Sequence, residues 1–125
     1  MTEAGLQYIR NLMDGLSIPY AFMVWETKPP EDRYHVGEPN EVPTMTMEED
    51  GMEETSFILR GFTRKEWSLL WSDARKLKKN LPQTAILPDG TGIAVFYEGS
   101  RAVMTADNTL KSIKTNLKIK EWSVN

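Results

Sequence analysis

The sequence predicts an α+β domain, a mainly antiparallel sheet with mixed pairing possible, flanked by two helices and carrying a long hairpin arm. Three observations carry that expectation. Apolar residues recur at helical spacing in only two segments, and runs rich in aromatic and β-branched residues separate them. Turn signals punctuate those runs at short intervals, as hairpins require. Helices and strands do not alternate as βαβ units, which argues against a doubly wound parallel sheet.

The first helix starts at Thr2, a plausible N-cap, and follows Leu6, Ile9, Leu12 or Met13, and Leu16. Gly15 can adopt the left-handed conformation that ends it. Residues 18–26 are aromatic and branched, and they read as a strand that Pro19 enters. Lys28-Pro29-Pro30 then breaks the chain. Residues 34–63 read as two strands around a long turn, with Asp50-Gly51 as the reversal and Pro39 and Pro43 suggesting an edge position or an arm.

The second helix opens on Thr63 and Glu66 at capping-box spacing and carries one apolar stripe, Trp67, Leu70, Trp71, Ala74, Leu77 and Leu81. Arg75, Lys76, Lys78 and Lys79 suit its C-terminal dipole, and Asn80 and Pro82 stop it. A hairpin-rich half follows: Ala85-Ile86-Leu87, a turn at Pro88-Asp89-Gly90, residues 93–97, a second turn at Glu98-Gly99-Ser100, and residues 101–105. The last strand, residues 113–122, sets Ile113, Leu117 and Ile119 on one face and Lys114, Lys118 and Lys120 on the other.

At 125 residues the chain holds one domain, 1–125, with residues 38–55 as a projecting acidic hairpin arm. Fifteen basic and eighteen acidic residues leave a net charge of −3, which disfavours binding duplex DNA by bulk charge. There is no cysteine, so disulfides, thiolate metal sites and cysteine nucleophiles are excluded. One histidine, His35, excludes a two-histidine metal centre and is expected to be a surface or packing residue. No apolar run is long enough to span a membrane, and the N-terminus lacks the pattern of a signal peptide.

Four Trp, four Tyr and four Phe give more large aromatic surface than a small core needs. Two strands look apolar on both faces. In one, Tyr20, Phe22 and Val24 oppose Ala21, Met23 and Trp25; in the other, Ile93, Val95 and Tyr97 oppose Ala94 and Phe96. Two helices cover one face of such a sheet. The other face is then covered by the sheet curling on itself, tolerated as an apolar patch, or used for association on the usual scale of about 800 Å² per partner.

Charge is segregated too. Residues 26–54 hold ten acidic residues against Lys28 and Arg33, whereas residues 64–125 hold eleven basic against six acidic. Copies joined head to tail, acidic surface on basic, could close a ring. The expected interface residues are Met45, Met47 and Met52 with Glu48, Glu49 and Asp50 on the arm. Phe22, Val24, Trp25 and Phe96 on the sheet and Lys114, Lys118 and Lys120 on the last strand complete the set.

Catalytic signatures are missing. Glu48-Glu49-Asp50-Gly51 lacks calcium-loop spacing, and Asp89-Gly90-Thr91-Gly92 lacks the Lys-Ser/Thr of a phosphate loop. The expectation is a non-enzyme with no metal and no cofactor. A small enzyme would need a carboxylate pair such as Glu98 with Asp107 converging in a pocket.

Four stretches resemble a family. They are Tyr34-His35-Val36-Gly37-Glu38 with Glu41; Asp50-Gly51-Met52-Glu53-Glu54-Thr55 running into Phe57-Ile58-Leu59-Arg60-Gly61-Phe62-Thr63-Arg64; Leu87-Pro88-Asp89-Gly90-Thr91-Gly92-Ile93-Ala94-Val95-Phe96-Tyr97; and Leu117-Lys118-Ile119-Lys120-Glu121-Trp122. In these the chain resembles the tail-terminator or tail-completion (neck) proteins of long-tailed bacteriophages and prophages of Gram-positive bacteria. The resemblance implies a ring, a hexamer, that ends the tail tube and joins it to the head connector. Its partners would be further copies of itself, the tube protein and the connector, with no membrane and no sequence-specific nucleic acid. It would reside in the virion tail or neck, and in the host cytoplasm during assembly. The alternative is a monomeric binding module or inhibitor docking through its apolar sheet face.

Overall fold

A computed structural model describes residues 1–40 and 52–123. The elements are α1 (Glu3–Gly15), β1 (Tyr20–Phe22), β2 (Tyr34–Asn40), β3 (Glu53–Thr63), α2 (Trp67–Asn80), β4 (Gln83–Ile86), β5 (Thr91–Val103) and β6 (Lys111–Ser123). They build one curled six-stranded sheet in the order β1-β2-β3-β6-β5-β4. β1 runs parallel to β2 and every other neighbouring pair is antiparallel, so the α+β class expected from the sequence holds with a mixed sheet.

Both helices lie on one face. The alternation of β3 and β6 explains why: Phe57 and Leu59 on β3 and Ile113, Leu117 and Ile119 on β6 are fully buried. α1 brings Ile9, Leu12 and Met13 onto this face, and α2 brings Leu77 and Leu81; β5 adds Ile93 and Val95. A second cluster, Leu70, Ala74 and Ile113, extends the core toward the start of α2. Each large side chain so buried contributes about 1.5–3 kcal/mol.

Thr2 caps α1 as expected, its hydroxyl accepting the Gly5 N–H at 3.0 Å. The same hydroxyl donates to buried Glu121 at 2.7 Å, which ties the start of α1 to β6 and sets a carboxylate at the positive end of the helix dipole. Asp89 closes its turn by accepting from the Thr91 N–H and hydroxyl, and Gly90 takes φ 88°.

Several local expectations are corrected. α1 ends through Ser17, which holds the left-handed φ of 57°, whereas Gly15 is its last helical residue. β1 spans three residues, because Met23 turns out of the strand at φ 65° and its N–H bonds to the Gly37 carbonyl. The capping box does not form: Glu66 is the N-cap without a side-chain bond. Thr63 instead ends β3, its hydroxyl accepting from Lys65 N–H and donating to the Asp32 carbonyl. Residues 98–100 do not turn the chain. They form a bulge, with Gly99 at φ 139°, inside a single 13-residue β5. β2 lies inside the sheet over His35–Gly37 and becomes an edge only beyond β1, where Pro39 needs no donor on that side. Residues 38–40 and 53–55, assigned to the arm, are paired strand; residues 41–51, with Asp50-Gly51, lie outside the described residues.

Gly37 allows the close packing of β1 on β2. A Cβ there would sit 2.6 Å from the Tyr20 ring and 2.7 Å from that of Phe57, whereas one on Gly15 meets nothing within 4 Å. Gly37→Ala is therefore expected to cost about 1–3 kcal/mol in urea denaturation. Gly15→Ala is expected to be stabilising by up to about 1 kcal/mol.

Candidate interaction surface

The sheet face opposite the helices carries the alternate residues of every strand. Reading across β5, β6, β3 and β2, the register sets Phe96 beside Lys118 and Ser56, then Arg101 beside Lys114, Arg60 and Val36, then Val103 beside Ser112, Phe62 and Tyr34. Most of these positions are half-buried. β4 adds Ile86, 64% exposed, next to Gly92. Trp122 lies across Gly92, where a Cβ would come within 2.2 Å of its indole.

This face mixes rings with cations. Lys120 Nζ sits 5.9 Å from the centre of the Phe96 ring. Lys118 lies 3.7 Å from both Glu54 and Glu98, with Phe96 and Lys120 around a shallow hollow of about 340 Å³. Arg60 bonds Glu38 at 3.1 Å. At the β2 end, Tyr34 stacks on Phe62 at 5.4 Å, and Trp25 meets Tyr34 edge-on at 6.2 Å.

On the helix side, the densest polar cluster is closed. Asp73 projects from α2 into the interior, fully buried. Arg33 clasps it with both arms, Nε to Oδ2 at 3.0 Å and Nη2 to Oδ1 at 3.1 Å, and His35 Nε2 lies 2.9 Å from Oδ2. Arg33 also bonds Asp32 and the Ser17 carbonyl. Burial alone would raise the Asp73 pKa, but hydrogen bonds from His35 and Arg33, reinforced by their charges, hold it below the ordinary 3.8. The Asp73 hydrogen bonds raise the Arg33 pKa most strongly, its burial opposes them, and the charge of Asp73 and the Asp32 contact add to the rise. His35 is thus a packing residue, as one of the two expectations had it. The arrangement fastens α2 to β2 and to the loop ahead of it.

Of the expected interface residues, the structure brings Phe96, Lys114, Lys118 and Lys120 together on the open face. It does not bring Phe22 or Val24 there. Phe22 packs against the core from β1, and Val24, 63% exposed, follows the turn at Met23. Trp25 reaches the Tyr34–Phe62 stack, and its indole N–H donates to the His35 carbonyl at 3.1 Å. Met52 is half-buried just ahead of β3, while Met45, Met47, Glu48, Glu49 and Asp50 lie outside the described residues. Glu98 and Asp107 do not act as a pair: Glu98 faces Lys118, and Asp107 is held by Arg64 at 2.7 Å and by Thr109. Sequence reading did not single out Tyr34, Phe62, Arg60 or Arg101 for this face. The signal for them was cross-strand register, which no single strand displays.

No protein-family profile and no curated protein matches the chain. Solved structures do match: one of them superimposes over 100% of this chain and 99% of its own, with a TM-score of 0.68 at 12% identity. That likeness shows a shared fold and carries nothing about activity. Among the described residues, no helix is long and apolar enough to cross a membrane.

Asp73→Ala strands Arg33 and His35 and is expected to cost about 3–5 kcal/mol in chemical denaturation. The pH dependence follows from the lowered Asp73 pKa. Its contribution is complete above the unfolded value near 3.8 and is lost as pH falls through the lower folded value. Stability of the native sequence should therefore fall more steeply below about pH 4 than that of Asp73→Asn, as compared by urea midpoints across the acid range.

Proposed function

We propose that the protein is a non-enzymatic structural component of a bacteriophage or prophage tail or neck. It forms a ring that terminates or completes the tail tube and joins it to the head connector. One observation supports this reading: both helices cover a single sheet face, and the opposite face carries rings and cations. A ring uses such a face heterologously, one patch of each copy against a different patch of the next. The phage assignment itself rests on the four resembling stretches of sequence.

A second reading has one observation in its favour. Glu38 and Glu54, part of the acidic segment, pair with Arg60 and Lys118 of the same chain, so some of the charge segregation is neutralised within a subunit. That suits a monomer docking on a different protein through the open face.

Native mass spectrometry separates the two. The ring reading expects a closed oligomer at high concentration or on addition of tube protein; a strict monomer in both conditions overturns it. Deleting residues 45–52 is expected to abolish the ring, whereas a monomeric binder using its sheet face would keep its affinity.

A further inference from the structure

We propose that the row formed by Arg101, Lys114 and Arg60 is the docking site for the acidic segment 41–51 of a second copy of this chain. This rests on the ring reading above and names the contact that would close it.

The row is a consequence of register. Arg101 on β5 and Arg60 on β3 both lie opposite Lys114 on β6, so three cations stand abreast on adjacent strands. Strands are about 4.8 Å apart, and like charges directly opposite one another are unfavourable without anions. The described residues supply only part of that compensation. Glu38 takes Arg60, while Glu54 and Glu98 both take Lys118. Among the described residues, Arg101 and Lys114 have no anionic partner.

The occupant is argued from charge. Segment 41–51 contains Glu41, Glu48, Glu49 and Asp50 and no Lys or Arg, and it brings Met45 and Met47. The row is flanked on the same face by half-buried Val36, Ile58 and Phe62, apolar ground on which methionines adapt well. A second copy is favoured over the chain's own segment. From its roots at Asn40 and Met52, a segment folding back to its own row would cross the face that carries Glu38 and Glu54. Those carboxylates already occupy Arg60 and Lys118 beside the roots, and the ring reading takes a second copy as the source of the segment.

Charge exchange in the full chain tests this. One variant carries Arg101→Glu and Lys114→Glu; the other carries Glu48→Lys, Glu49→Lys and Asp50→Lys. All five positions are on the surface or outside the described residues, and circular dichroism melts verify that both variants fold. Each variant alone is expected to lose the oligomer seen by native mass spectrometry, and an equimolar mixture is expected to regain it. Oligomers formed by each variant alone would overturn the inference and leave the ring reading standing. Loss without recovery on mixing would also overturn it, because it points to pairing within one chain.

A second measurement does not depend on assembly. A fluorescein-labelled peptide of residues 41–51 is titrated into full chain bearing Glu41→Gln, Glu48→Gln, Glu49→Gln and Asp50→Asn. Binding by anisotropy is expected to weaken about tenfold on adding Arg101→Glu and Lys114→Glu, and to weaken with salt. Absence of peptide binding overturns the inference even if rings form. Binding of oligothymidine in place of the peptide overturns it too and reassigns the face to single-stranded nucleic acid.

Discussion

The pairing of β3 with β6 runs through eleven residue pairs without interruption, from Glu53 opposite Glu121 to Thr63 opposite Lys111, and both faces of the molecule follow from it. Side-chain alternation along two strands in register sends Phe57, Leu59, Leu117 and Ile119 to one side, and Arg60, Lys114, Lys118 and Lys120 to the other. A shift of one residue would exchange these sets and bury lysines against the helices. The open face is therefore a direct product of the same constraint that builds the core.

Around this pair, the remaining elements are held by specific polar contacts as well as by apolar burial. Glu121 takes the Thr2 hydroxyl and so places α1 over the end of β6. Asp73, Arg33 and His35 join α2 to β2 and the loop ahead of it. A buried carboxylate is tolerable there because a two-pronged guanidinium and an imidazole replace the water it loses. These contacts lie on the helix side of the sheet.

Elements with a strong local period were legible. The α2 stripe over Leu70, Ala74 and Leu77 and the alternation of the last strand match the structure, because helical and strand periodicities are written in adjacent residues, whereas Trp67 at the head of the stripe is exposed. Asp73 shows the limit. It sits three residues beyond Leu70 and four before Leu77, on the inward side of the helix, yet an aspartate there has no apolar signature. Only the positions of Arg33 and His35 in the folded chain explain it. Residues 20–25 show another limit: aromatic composition favoured a long strand, but the turn at Met23 ended it after three residues.

The sequence by itself determined the class of the fold, the two helices, most strand positions and the absence of cysteine chemistry, since each follows from composition or from contacts between near neighbours. Tertiary structure decided which residues share a face. The triad of Arg101, Lys114 and Arg60, the stack of Tyr34 on Phe62 and the placement of Trp122 over Gly92 each join different strands. Such neighbours are set by register across strands distant in the chain, and register is fixed only when the whole core closes.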